Sequence, residues 1–187
     1  MIDERNFMGR IKRFARGDCS NLGHGWLYYG IARLMRPEVI VEIGRYYGFS
    51  MLLFAQACKD NNKGHVWSID REDRPLAGRL EKCGMQDLPV YYTVLTGLSM
   101  NLAGEVPDEI DLLFIDGDHS YEACLLDTEM YAARVRPGGF CLWHDTVLYP
   151  GCAQVVAELD RREWELLTFP VNPTTPENEG LTIGRRL

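Results

Sequence analysis

The chain of 187 residues is 46% hydrophobic and 25% charged, the balance of an ordinary soluble globular protein with room for one sizeable core. Its formal net charge of -7 argues against a nucleic-acid surface as its main business, because phosphate binding needs clustered Lys and Arg. No apolar run approaches the roughly 20 residues of a membrane span, and "MIDERNFMGRIKRFARG" lacks the apolar core of a secretory signal, so a cytoplasmic protein without a membrane partner is expected.

Near the start, Phe7, Ile11 and Phe14 recur at helical spacing among Arg5, Arg10, Lys12, Arg13 and Arg16. A second helical stretch, "GWLYYGIARLM", leads to Pro37. Both read as helices packing on a sheet edge, with a membrane-surface or dimer role as the alternative. Beyond them two kinds of segment alternate. Strands are predicted over Val39–Ile43, His65–Asp70, Val90–Leu95, Ile110–Asp116, Gly139–His144 and Trp164–Phe169. Helices are predicted over Phe49–Lys59, Arg74–Cys83, Tyr121–Val135 and Cys152–Arg161. Uninterrupted apolar runs such as "DLLFID" and "GFCLWHD" suit strands covered on both faces, as in a parallel sheet. The alternation predicts a doubly wound α/β fold. The tail "FPVNPTTPENEGLTIGRRL" reads as a Pro-rich polar loop, either a plain connection or a flap over a site, and then a short last strand. The six cysteines are scattered with no C-x-x-C pair, so buried small hydrophobes are expected rather than a disulfide framework or a zinc site.

The stretch "VEIGRYYGFS" carries the first functional signal. A strand–glycine–helix turn exposes unpaired N–H groups, and in doubly wound sheets ligands bind beyond the carboxyl ends of the strands. Gly44 and Gly48 would let a ligand approach the backbone, and Ser50 would add a hydroxyl donor. A dinucleotide fingerprint reads G-x-G-x-x-G, whereas the order here is E-x-G-x-x-x-G-x-S. Glu42 would repel a pyrophosphate but suits a ligand with an ammonium or sulfonium group, and S-adenosylmethionine has both. The alternative is that such glycines only close tight turns. Asp70, which closes "HVWSID", stands where an acid accepts both ribose hydroxyls, or else caps a helix. In "TGLSM", Gly97 and Ser99 sit where a loop would border an adenine ring with Leu98 and Met100 as walls; a loop with a Ser cap fits nearly as well.

"FIDGDHSYE" crowds Asp116, Asp118, Glu122 and His119 at the end of a central strand. Like charges there need a cation or a hydrogen-bond network to answer them. "WHDT" then puts His144 and Asp145 on the neighbouring strand end. Asp116 and Asp145, aimed at one place, suit Mg²⁺, which keeps waters and shares substrate oxygens. Such a cation would chelate paired hydroxyls and lower their pKa, with His119 or His144 taking the proton. Taken singly, each of these residues also reads as a strand-end cap or a core imidazole.

In this order "VEIGRYYGFS", "SID", "TGLS", "IDLLFIDGDHSYE", "VRPGGFCLWHDT" and "GLTIGRR" resemble the class I S-adenosylmethionine-dependent methyltransferases, from about Leu22 to Arg186. Within that family the chain is similar to small-molecule O-methyltransferases of the catechol type. It is more similar to the group holding macrolide-sugar and cephalosporin-biosynthesis relatives. The fold then expected is a seven-stranded Rossmann-like sheet, order 3-2-1-4-5-7-6, with the last strand antiparallel. A single domain over 1–187 is expected, with N-terminal helices over 1–36 and the core over 37–187. The resemblance implies that Glu42, Gly44, Tyr46 and Ser50 hold the methionine end of the cofactor, beside Gly48. Asp70 would take the ribose, Gly97 and Ser99 would border the adenine, and Asp116 would adjoin the cofactor. Asp116 and Asp145 match metal-binding acids, and His119 is the first choice of base. Thr146 stands where the catechol type has an Asn ligand, with Asp118 and His144 as substitutes. Leu98 stands where relatives commonly carry an adenine-contacting acid. The implied reaction is methyl transfer to a hydroxyl of a small molecule such as a sugar or secondary metabolite. A non-catalytic S-adenosylmethionine-binding protein and, further off, a nicotinamide-dependent oxidoreductase are the alternatives. The acceptor, any need for Mg²⁺ and homo-oligomer formation are left open.

Overall fold

The computed structural model describes residues 24–169 and 179–187. The helical pattern around Phe7, Ile11 and Phe14, Cys19, and the Pro-rich stretch 170–178 lie outside the described residues. In chain order the elements are α1 (Gly25–Met35), β1 (Val39–Ile43), α2 (Phe49–Asn61), β2 (His65–Asp70), α3 (Ala77–Cys83), β3 (Tyr92–Thr96), α4 (Ser99–Leu102), β4 (Ile110–Ile115), α5 (Tyr121–Asp127), β5 (Val135–His144), α6 (Pro150–Glu158), β6 (Trp164–Phe169) and β7 (Leu181–Arg186). The seven strands order as β3-β2-β1-β4-β5-β7-β6, as the resemblance implies. β7 runs antiparallel to both its neighbours, and the other pairs are parallel.

The apolar strands split the core in two by their period of two. Ile40, Leu112, Phe114 and Leu142 pack on one face with α1, α2 and α3. Val41, Leu113, Ile115, Cys141 and Trp143 pack on the other with α5 and α6. Each fully buried side chain of this size contributes about 1.5–3 kcal/mol. Helix α2 is buried nearly all round, from Ser50 to Cys58, because it is covered by α1 on one side and the sheet on the other. Trp143 is the largest fully buried side chain; its ring meets Trp164 edge-on and its Nε1–H donates to Thr128 Oγ1 at 3.0 Å. Cys58, Cys124, Cys141 and Cys152 are buried free thiols, in line with their reading as small hydrophobes.

Element boundaries differ from the prediction where local chemistry intervenes. The helix expected from Arg74 begins at Ala77, since Pro75 holds the residue before it out of helical geometry. The helix expected to run from Tyr121 to Val135 is α-helical to Asp127 and then widens into a π-type turn over Thr128–Ala132. β5 starts at Val135 rather than Gly139, with a register irregularity against β4 near Pro137, which has no N–H to give the ladder.

Candidate active site

The carboxyl ends of β1, β2 and β4 are tied together by backbone. Gly44 has φ +93°, and a Cβ on it would lie 1.8 Å from the Asp116 carbonyl oxygen. The missing side chain lets the exit of β4 cross against the exit of β1, where Asp116 N–H donates to the Ile43 carbonyl at 2.8 Å. Gly44 N–H donates to the Ile69 carbonyl at 2.9 Å, which ties in β2. Tyr46 sits in the left-handed region at φ +48° and donates its N–H to Asp70 Oδ2 at 2.6 Å. Asp70 Oδ1 accepts from the Glu72 N–H at 2.8 Å and from Arg74 at 3.3 Å. The Arg74 guanidinium in turn stands 4.7 Å from the Tyr46 ring centre.

These tips border a cleft of about 560 Å³, ordinary for a small-molecule site. Of the residues singled out from sequence, Gly44, Tyr46, Asp70, Gly97, Ser99, Asp116, Asp118, His119, His144 and Asp145 line it, as do Leu98 and Met100. Glu42, Gly48 and Ser50 do not stand on its wall. Glu42 is fully buried behind it, where the Ser50 and Ser68 hydroxyls each donate to one carboxylate oxygen. Burial lifts its carboxyl to about 7, against the pull of those two hydroxyls. Ser50, expected as a donor to a ligand, spends its hydroxyl on Glu42 instead. Gly48 closes the turn into α2 at φ +83°, in the left-handed conformation that favours glycine.

Asp127 was not anticipated. Ala123, Leu126 and Asp127 share one face of α5 and line the cleft together with Leu98. The Ser99 hydroxyl donates to Asp127 Oδ1, and the Tyr131 hydroxyl donates to the Ser99 carbonyl at 2.6 Å. Burial raises the Asp127 carboxyl above its ordinary range, with the Ser99 bond working against it. An acid on a helix reads as a solvated face, so only the sequel to "DGDHSYE" could have marked it.

At the far end of the cleft Asp116 and Asp145 meet two imidazoles. His119 Nε2 lies 2.9 Å from Asp145 Oδ2 and 3.8 Å from Asp116 Oδ1. His144 Nδ1 lies 3.3 Å from Asp116 Oδ1 and 3.2 Å from Asp145 Oδ2. These are ion-pair contacts, since the ring N–H groups are not aimed to make proper hydrogen bonds. Asp116 and Asp145 lift His119 to about 10. Burial pulls His144 down, but the same carboxylates outweigh it and leave it at about 10. Asp145 is held well below the usual carboxylate range, the two histidines overcoming its desolvation. Asp145 also adopts φ +61°, an uncommon conformation for a non-glycine residue, at the turn leaving β5. The Tyr149 ring stacks on His119 with centres 4.2 Å apart.

Asp116, His144 and Asp145 offer ligand atoms that all lie within 4.8 Å of one another. Asp118 is not gathered with them; its Oδ1 accepts the Ser120 N–H at 2.9 Å and tightens the turn before α5. Thr146 is buried and its hydroxyl pairs with that of Thr182 at 2.9 Å. A cation here would therefore be met by two carboxylates and an imidazole.

Against this geometry, comparison with known proteins is decisive. Residues 41–146 match the methyltransferase domain family. The chain belongs to that family. The seven-stranded methyltransferase fold read from the sequence is thus borne out. An uncharacterised protein, y4gI, of Sinorhizobium fredii is 28% identical over 140 residues, which cover 67% of this chain and 15% of that relative. This methyltransferase-family chain therefore spans only a small part of that relative's length. Among solved structures, an O-methyltransferase from Bacillus cereus in complex with S-adenosylhomocysteine superposes with a TM-score of 0.76 at 14% identity, covering 96% of this chain and 91% of that one. The O-methyltransferase TomG of Streptomyces achromogenes, involved in tomaymycin synthesis and solved with S-adenosylmethionine, superposes at 0.73 with 19% identity, covering 96% and 88%. At those identities the likeness speaks for the fold. Among the described residues no helix is long and apolar enough to cross a membrane.

Proposed function

We propose that the chain is a cytoplasmic S-adenosylmethionine-dependent O-methyltransferase, a single domain over 1–187, acting on a hydroxylated small molecule. The observation that carries the reading is the cleft itself. An acid at the β2 end and an Asp–His cluster at the β4 and β5 ends line it together, on either side of the β1 tip. In a family of methyltransferase domains, that pairs a nucleoside-binding end with a proton-handling end. Matching proteins solved with S-adenosylmethionine or S-adenosylhomocysteine support the same choice of cofactor.

The residues present suit that cofactor. Asp70 accepts from Tyr46, Glu72 and, at a long 3.3 Å, Arg74; its free lone pair and the one Arg74 holds weakly are the positions that ribose hydroxyls would take. Leu98 and Met100 offer apolar walls to a base, and Asp127 offers the acceptor that Leu98 lacks for an exocyclic amine. Glu42 places a carboxylate behind the Gly44 turn, where a cationic methionine end would favour its ionised form. S-adenosylmethionine, when bound, supplies an activated methyl group for in-line attack by an acceptor oxygen. The chain's own task is to hold that oxygen at attack distance and remove its proton. His119 is the proposed base. It carries a proton at neutral pH while it pairs with Asp116 and Asp145, so a divalent cation at those carboxylates would release it for the task. Mg²⁺ bound by Asp116 and Asp145 would supply a Lewis acid for the acceptor hydroxyl.

Calorimetric titration with S-adenosylmethionine, with and without Mg²⁺, followed by a methyl-transfer screen over polyols and phenols, tests the proposal. Binding with turnover on one acceptor class is expected. Tight binding with no turnover anywhere would favour a non-catalytic cofactor-binding protein. Preference for reduced nicotinamide cofactor would return the oxidoreductase.

A further inference from the structure

We propose that His24, His144 and Glu179 form a binding site for a zinc-class divalent metal ion, separate from the Asp116–Asp145 carboxylate pair. His24, just ahead of α1, is only 5% exposed, and among the described residues neither of its ring nitrogens has a hydrogen-bond partner. Leaving a buried imidazole unanswered on both sides is costly, and such a group calls for an explanation. Its ring stands edge-on to His144, with centres 5.8 Å apart. One ligand atom from each of His24, His144 and Glu179 lies within 4.8 Å of the others. Around a tetrahedral zinc, ligand atoms stand roughly 3.3–3.5 Å apart given bonds of about 2.0–2.2 Å. The His144 Nε2 to Glu179 Oε2 distance of 3.7 Å is already close to that.

His144 shows different nitrogens to two neighbourhoods. Nδ1 faces the Asp116 and Asp145 carboxylates, and Nε2 faces Glu179. With Nδ1 only 3.2–3.3 Å from those carboxylates, a small turn of the ring would let it donate there and leave Nε2 to a metal, the usual support for a ligating histidine. Glu179 is also held in position. Its carbonyl accepts the Val147 and Leu148 N–H groups at 3.1 and 3.2 Å. Gly180, at φ +76°, brings the approach to β7 so near Val147 that a Cβ would fall 2.4 Å from that side chain. Three distant parts of the chain are thus brought to one point. Two imidazoles and one carboxylate suit Zn²⁺ or Fe²⁺ rather than Mg²⁺, which prefers an all-oxygen shell. His144 lines the cleft while His24 and Glu179 do not, so an ion here would sit behind the cleft wall and reach it through His144.

The test uses the full chain, stripped with a chelator and free of methyl donor. Zn²⁺ is titrated by calorimetry and Co²⁺ by visible absorption. One equivalent is expected to bind, with Co²⁺ giving the ligand-field bands of a site of low coordination number. His24→Gln and Glu179→Gln should each weaken binding by at least about 100-fold, while His65→Gln, at the opposite end of the sheet, should leave it unchanged. Glu179 is partly exposed, so its variant keeps the test decisive if His24→Gln does not fold. The proposal is overturned if no stoichiometric binding tighter than about 10 µM is found. It is equally overturned if Asp116→Asn abolishes binding while Glu179→Gln retains native affinity. Because the readout is metal binding alone, failure here leaves methyl transfer standing, and failure of methyl transfer leaves this site standing.

Discussion

His119 Nε2 lies 2.9 Å from Asp145 Oδ2, joining the turn after β4 to the turn after β5 on the wall of the cleft. If His119 removes the acceptor proton, His119→Gln should cut turnover by about 10²–10⁴-fold. Binding of S-adenosylhomocysteine should change little, because the residue stands at the acceptor end. Parallel loss of both would mark it as a cofactor-holding residue instead.

The histidine pair makes a signed prediction for stability. Both imidazoles titrate near 10 in the fold, above the 6.5 of an unperturbed histidine. The native state thus binds more protons than the unfolded chain between those values. Its extra stability is complete below about 6.5 and is lost as pH rises through about 10. Asp145, depressed in the fold, gives the mirror effect, with stability lost only in strong acid. Denaturant midpoints measured on either side of this alkaline window should fall, and Asp145→Asn should flatten the fall.

Glu42 titrates in a different window. Its folded value of about 7 lies above the ordinary 4.5, so stability should decline as pH rises from about 4.5 to about 7. Glu42→Gln, which keeps the shape, should remove that slope. S-adenosylmethionine, being cationic, should bind more tightly as pH rises through about 7, and the variant should lose this dependence. A pH-independent affinity in the parent protein would separate Glu42 from the cofactor.

Gly44 has no room for a side chain. Gly44→Ala forces a Cβ into the Asp116 carbonyl at a backbone angle that L-residues avoid. A loss of about 3 kcal/mol or more in unfolding free energy is expected, together with loss of cofactor binding. Chemical denaturation measures the first and calorimetry the second.

Asp127 is the untried acid of the cleft. Asp127→Asn should weaken S-adenosylhomocysteine by roughly tenfold, the worth of one hydrogen bond to a charged group. An analogue lacking the adenine amino group should be indifferent to the change. Equal weakening of both ligands would mean that Asp127 acts only by bracing Ser99.

Much of this was legible in the chain because it is written locally. Alternating apolar runs and helical patterns specify element order, since a strand covered on both faces must be apolar throughout and a helix only on its covered side. The acids Asp70, Asp116 and Asp145 were legible as strand-end residues, and strand ends converge in any doubly wound sheet. Side-chain aim is another matter. Glu42 looks like a ligand contact in the motif, yet the pleat turns it inward to Ser50 and Ser68. Asp118 sits among the site acids in sequence but is spent on its own turn.

The amino-acid order alone therefore determined the doubly wound α/β class, the strand-end position of the cleft and the charged residues at its rim, and the family resemblance supplied the strand order. Tertiary structure decided which of those charges meet. It brought Asp127 into the cleft from α5, and it set His24 and Glu179 beside His144. Such meetings depend on sheet register and helix packing between segments far apart in the chain, and no local spacing encodes them.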